Sequence, residues 1–349
     1  MTRVHRLHPA PTRQAGQIAT RLLPVALLLL AACDKPPAFG ETNSLIVVSD
    51  ETLWQQVEAE TYARLEPTVF TIREEKKFNV THVDPGGSEL DELLLWKQVL
   101  VFGLPGDPLI EAIAAAADSA PAAGDVLQAS DVWARGQLAT AIVLESGNEA
   151  ASWRAALPGL AARLDSQYRD YALGRMFASG EDTLLAQTLA VQFGVRLRAP
   201  QIYHGRVGED GFIRLRNDNP RPSERIRSIL IERVATDSAD AAPLGPEAVF
   251  AWREGIDGVV YNVPQSFDRS PVEPRIFDLG GAEAIEVRGI WQDEGTFPAG
   301  GPFLARAVRC PDATWFFDAW LYSPNPRASK YEFLMQLEEI LDSFRCTSS

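Results

Sequence analysis

The sequence predicts an α+β protein of mixed α/β character. Strands and helices alternate in the N-terminal half; antiparallel strands and a C-terminal packing helix follow in the second. Three observations carry this reading. Apolar runs of strand length at 45–48 and 99–102 are separated by helix-length stretches. After Val195 the strand-like segments are joined by short turns such as Glu209-Asp210-Gly211. The chain then closes on Phe333, Leu337, Ile340, Leu341 and Phe344, which recur at helical spacing.

Taken in order, residues 1–32 read as a lipoprotein signal peptide. They hold Arg3, Arg6, Arg13 and Arg21, no acid, and an apolar run from Leu22. That run is about half the ~20 residues a spanning helix needs, and Pro24 weakens it further. Leu30-Ala31-Ala32-Cys33 is similar to the bacterial lipobox. The similarity implies cleavage before Cys33 and acylation of Cys33. Several acyl chains at ~0.8 kcal/mol per buried methylene anchor a protein stably. Palmitate-type lipid is therefore the first expected partner, and a lipid-anchored place in the cell envelope or periplasm the expected location. Asp34 leaves the choice of membrane open.

Residues 33–43 read as a lipidated tether, extended by Pro36-Pro37. An α/β half over 44–145 follows. It has a strand at 45–48 and a helix capped by Ser49 or Asp50 that ends before Pro67. Alternation through Phe78, Val80 and His82 predicts a half-exposed strand, and Pro85-Gly86-Gly87 a turn. A short helix, the strand at 99–102 and an Ala-rich helix with Pro108 in its first turn complete the pattern. After the 120–124 break, a strand is expected to end near Leu144.

Residues 146–349 read as a helical connector and an α+β half, either separate from 44–145 or continuous with it as one domain. The connector is expected to break at Pro158-Gly159 and near Gly180, and Ser179-Gly180-Glu181-Asp182 to start a helix ending at Gly194. Strands are expected at 212–216, 226–234, 259–261, 284–291, 303–309 and 314–322. A polar loop is expected at 236–243 and a helix from Pro246. Ser329-Lys330-Tyr331-Glu332 has capping-box form for the last helix. Each half ends in strand, turn, strand, helix, which raises an internal duplication.

Composition narrows the function. Removing the four leader arginines takes the net charge from −14 to about −18, against nucleic-acid binding through phosphates. With Cys33 acylated, Cys310 and Cys346 remain as one disulfide pair. Strand 314–322 and the returning helix 329–345 have lengths that bring these two cysteines together. HExxH, CxxC, GxGxxG, P-loop and GxSxG patterns are absent. No metal site or cofactor is expected, and His82 and His204 read as structural.

The conspicuous side chains are binding candidates: Trp133, Arg288, Trp291, Gly300, Gly301, Phe303 and Trp320. Arg288 could fork onto an anion or pair with a neighbouring carboxylate. Alternation in 314–322 puts Trp315, Phe317 and Leu321 on one face and Phe316, Trp320 and Tyr322 on the other. The second face is either core under the final helix or an aromatic platform.

Asp50 with Trp54, Trp133-Ala134-Arg135-Gly136-Gln137, Arg288-Gly289-Ile290-Trp291, Gly300-Gly301-Pro302-Phe303 and Gln336-Leu337-Glu338 together resemble an uncharacterised family of bacterial envelope lipoproteins, described only as a domain of unknown function. Ala299 stands where that pattern has Met. The resemblance implies location and architecture but no activity. The leading expectation is a non-enzymatic envelope component, binding or structural, with a protein, peptide or cell-wall glycan as partner. The rival is an envelope hydrolase using carboxylates such as Asp50, Asp131 or Asp318, gathered in one cleft with a raised pKa.

Overall fold

The computed structural model describes residues 35–219, 225–235, 244–257, 264–293, 295, 299–325 and 327–347. Cys33, the loop expected at 236–243 and the strand expected at 259–261 lie outside the described residues, the loop and strand in whole or in large part. The architecture is α+β with mixed sheets. Among the described residues no helix is long and apolar enough to cross a membrane.

The N-terminal half runs β1 (Ser44–Val48), α1 (Glu51–Leu65), the hairpin β2 (Thr68–Phe70) and β3 (Glu74–Lys76), β4 (Asn79–Val83) and α2 (Leu90–Leu93). It continues with β5 (Gln98–Gly103), α3 (Pro108–Ala116), β6 (Val126–Ser130) and β7 (Leu138–Val143). The sheet order is β4-β1-β5-β7-β6, parallel except for β6. Period-two alternation divides its side chains. Leu45, Val47, Leu100 and Phe102 meet Trp54 and Val57 of α1. Ile46, Val48, Val99 and Val101 meet Ile110 and Ile113 of α3. Burial on both faces explains why these strands read as unbroken apolar runs.

α4 (Glu149–Met176) is uninterrupted, against the expected break at Pro158. Pro158 lies on the exposed side, while Trp153, Leu157, Leu160 and Leu164 are buried on the other. Solvent-facing carbonyls can tilt outward, so the missing hydrogen bond costs least there. At ~1.5 Å per residue the helix is about 42 Å long. It therefore serves both halves: Trp153 packs on the parallel sheet, and Met176 reaches the second core.

The second half holds α5 (Thr183–Phe193), β8 (Val195–Arg196), β9 (Arg206–Val207), β10 (Ile213–Asn217), β11 (Ile226–Ala235) and α6 (Pro246–Ile256). β12 (Gln265–Arg269), β13 (Arg275–Asp278), β14 (Glu283–Asp293), β15 (Gly300–Arg309), β16 (Ala313–Tyr322), α7 (Tyr331–Asp342) and β17 (Arg345–Cys346) complete it. Asp182, rather than Ser179, caps α5 by accepting the Leu185 N–H, and Gly194 ends the helix in left-handed conformation. The antiparallel sheet has the order β12-β14-β15-β16-β11-β10-β9, with β13 also on β14. Its topology differs from the parallel sheet, so the shared strand-turn-strand-helix endings are not matched by a shared sheet.

α5 and α7 cover the face bearing Trp315, Phe317 and Leu321. α6 covers the face bearing Phe303 and Trp320. The second aromatic face is thus core under α6, not under the final helix. Cys310 and Cys346 are joined, with Cα atoms 5.6 Å apart.

The expected capping box on α7 is replaced by a cap from the other half. Glu75 Oε2 accepts the Lys330 and Tyr331 N–H groups and the Ser329 hydroxyl, while Oε1 accepts the Thr71 hydroxyl. A buried carboxylate at a helix N-terminus satisfies its open donors and the dipole together.

Candidate functional site

A cleft of about 490 Å³ opens at the carboxyl ends of β1 and β5. The chain goes from β1 to β4 on one side and then crosses to β5 on the other. The crevice between β1 and β5 is therefore a topological switch point, where open α/β sheets leave room for ligands. Val48, Val101, Phe102 and Leu144 line it from the strand ends, with Leu53, Leu104 and Leu109 from the flanking segments.

Helix starts bring polar groups to this apolar hollow. Asp50 Oδ1 accepts the Thr52 and Leu53 N–H groups, capping α1. Asp107 Oδ2 accepts the Leu104 N–H at 2.7 Å, folding the Gly103-Leu104-Pro105-Gly106 loop over the strand end. A β-carbon on Gly103 would stand 2.1 Å from that oxygen, so the carboxylate lies where glycine leaves space. Glu149 Oε1 accepts the Gly147 N–H ahead of α4. The Gly147 and Glu149 backbone N–H groups hold the Glu149 carboxyl below its ordinary range. This is opposite to the raised value that the hydrolase expectation required.

The named acids of that expectation do not meet. Asp50 lines the cleft. Asp131 accepts the Gly136 N–H in the loop before β7, at the other end of the sheet. Asp318 is buried in the second half and pairs with Arg253 at 3.0 Å. His82 stacks on Trp54 with centroids 4.3 Å apart, and its Nε2 lies 2.9 Å from the Ser49 carbonyl oxygen. His204 follows the short 3-10 turn Gln201–Tyr203. Among the described residues no group of three or more His, Cys, Asp or Glu could hold a metal ion.

The binding candidates of the second half come together mainly as packing. Cross-strand register places Gly289 opposite Phe303 and Trp291 opposite Gly301. A β-carbon on Gly289 would stand 2.3 Å from the Phe303 ring, and one on Gly301 1.8 Å from the Leu321 carbonyl oxygen. The two conspicuous blocks are thus one unit in which glycine makes room for close packing. Gly300 lies beside it, across from Gln292. Arg288 is engaged by Glu286 at 2.9 Å and by Glu338 of α7. Trp291 and Trp320 line a broader trough of about 860 Å³ with Arg206, Arg214 and Arg216. Both indoles are almost fully buried, and Arg214 and Arg216 pair with Asp210 and Asp218. The trough therefore offers little aromatic face for stacking.

Trp133 lies far from these residues, in the loop before β7. Its N–H donates to Gln137 Oε1, and Gln137 Nε2 donates to the Leu94 and Trp96 carbonyls. Sequence reading passed over the cleft itself. Its signal was Gly103-Leu104-Pro105-Gly106-Asp107-Pro108, a glycine-rich strand-to-helix step beside the Ser49-Asp50 cap.

A family described as "Domain of unknown function (DUF4837)" matches residues 182–343. No curated protein matches the chain. Among solved structures, the chain is similar to PsbP (CyanoP) from Synechocystis sp. PCC 6803: 12% identity, TM-score 0.33, covering 44% of this chain and 86% of that one. It is also similar to LpqN, involved in cell envelope biogenesis of Mycobacterium tuberculosis: 17% identity, TM-score 0.26, covering 44% of this chain and 83% of that one. At those scores neither likeness carries a functional argument.

Proposed function

We propose that this protein is a lipid-anchored cell-envelope component whose N-terminal half binds a ligand in the switch-point cleft. The observation that carries this reading is an apolar hollow of about 490 Å³ ringed by Asp50, Asp107 and Glu149. Leucine and valine walls favour an apolar body. Each carboxylate spends one oxygen on backbone N–H groups, which fixes its position, and the ring as a whole favours a cationic or hydrogen-donating end. A short peptide segment with an apolar side chain and an amine fits both demands. The second half then acts as a rigid support joined through α4 and the Glu75 cap.

Titration with a cationic apolar dye tests this. Its fluorescence should rise on binding and be lost in Leu53→Trp, which fills the cleft, while the melting temperature of that variant stays near the parent's. Equal binding by the variant, or equal binding of an anionic dye with the same ring system, would rule the cleft out.

A further inference from the structure

Within the segment expected to be an extended tether, residues 36–39 are docked on the folded body. The Ala38 N–H donates to the Arg135 carbonyl, and the Arg135 N–H donates back to the Pro36 carbonyl, both at 2.8 Å. The Phe39 N–H donates to the Leu95 carbonyl, and the Lys97 N–H donates to the Phe39 carbonyl. The Phe39 and Trp96 rings lie 5.5 Å apart. Gly40 adopts φ +87°, and a β-carbon there would stand 2.4 Å from the Trp96 ring. That conformation and that space both require glycine. The docked segment thus starts two to three residues after Cys33 in the sequence.

Two Cα steps reach about 8 Å at most. An acyl group on Cys33 would then hold residues 35–39 against the headgroups rather than let the body swing on a ~30 Å leash. The docked segment lies on the rim where β1, β5 and β7 begin, formed by the 94–97 and 131–137 loops. Phe39, Trp96 and Trp133 are all at least partly exposed there. Partly exposed aromatic rings beside cations suit a membrane interface. Lys35 and Arg135, both exposed, and the half-buried Lys97 bring cations to this rim beside Asp131. The cleft lies at the opposite strand ends, about 15–20 Å away across five- and six-residue strands.

We propose that this rim is the bilayer-facing surface of the protein, so that the cleft opens away from the membrane. The proposal rests on acylation of Cys33 and not on what the cleft binds. The test is hydrogen exchange of the full-length acylated protein on phosphatidylethanolamine–phosphatidylglycerol vesicles, compared with soluble Cys33→Ser. Exchange should slow at 95–97 and 131–137 and stay unchanged at the cleft loops 84–87, 104–107 and 145–148. Phe39→Ala, which removes the ring contact, should lose that slowing while keeping the acyl mass. Absence of the acyl mass in the wild-type protein overturns the anchor itself. An acylated protein whose rim does not slow, or whose cleft loops slow with it, overturns the orientation. Slowing in native membranes but not in lipid vesicles assigns the rim to a protein partner and also overturns it.

Discussion

The two halves place their charges in opposite ways. In the parallel sheet the buried side chains are apolar or uncharged, such as Gln98 and Thr140, and carboxylates such as Asp50, Asp107 and Glu149 stand at helix starts around an open cleft. In the antiparallel sheet charges lie inside and fasten a helix to each face. Arg253 of α6 meets Asp318 of β16, with side chains 2% and 0% exposed. Arg306 of β15, fully buried, meets Glu286 of β14 at 2.6 Å and Asp342 of α7 at 2.8 Å. Charge at strand ends remains available to a ligand, whereas charge in a sheet interior is consumed by its partner. The arginine-rich half thus spends its buried charges on its own partners, whereas the carboxylates of the other half stand open around the cleft.

The largest effect expected from this contrast is at Asp318. Asp318→Ala leaves the Arg253 guanidinium enclosed between the Phe303 and Phe267 rings, with centroids 4.0 and 5.0 Å away. Stability should fall by about 3–5 kcal/mol in urea titration. The double variant Arg253→Met with Asp318→Leu should recover most of it, because removing both charges removes the desolvation problem. Asp50→Ala, the exposed cap at the cleft, should cost only about 1 kcal/mol. Similar losses at the two positions would erase the distinction between the halves.

Next in size is the join between them. Glu75→Ala unpairs the Lys330 and Tyr331 N–H groups inside the protein, at an expected cost of about 2 kcal/mol. The two halves also share the contact of Tyr168 in α4 with Tyr331 in α7, ring centroids 6.1 Å apart. Losing the cap should therefore loosen their cooperativity. Proteolysis of α7 should then precede loss of the parallel sheet, where the parent should show one coincident transition. A coincident transition in the variant would show that α4 alone couples them.

Local signals in the sequence were legible where local chemistry decides the outcome. The strand expected at 45–48 and found at Ser44–Val48, the helix after Asp50, the start at Pro246 and the buried stripe of α7 follow from an apolar run, capping and spacing. What escaped depends on partners distant in sequence. Pro158 is tolerated because of which side of α4 faces water. Ser329 is not the α7 cap because Glu75, 254 residues away, takes that place. The Phe316–Trp320 face is covered by a helix that precedes it in the chain. The tether is pinned by the Arg135 loop, about a hundred residues on. The cleft arises only when β4 and β5 separate to either side of β1, a fact of sheet order that no window of sequence contains.

Acid gives the gentlest test of the contrast, since it perturbs charges without altering side-chain volume. Burial alone would raise the Glu286 carboxyl, but Arg306, Arg288 and Arg275 outweigh it and hold the group below its ordinary value of 4.5. A carboxyl lowered in the folded state contributes stability that is present above its unfolded value and lost as pH falls through its folded one. Asp210, at about 2, is also lowered in this half, chiefly by the Arg214 hydrogen bonds. Asp312 is lowered in the same way by Arg233. Both are exposed, so screening leaves them a minor share. In the parallel half Glu149 is the lowered carboxyl, and it too is exposed. Lowering pH from 5 toward 3 should therefore open β14 and β15 before β1 and β5, with hydrogen exchange at 283–309 rising ahead of that at 44–48 and 98–103. As protonation releases Glu286, Arg306 keeps Asp342 as its carboxylate partner among the described residues, and the α7 face of the sheet loosens first. Glu286→Gln should bring that early opening to neutral pH and flatten its acid dependence. If 98–103 opens first in the parent, the charged interior of the second half is not what makes it acid-sensitive.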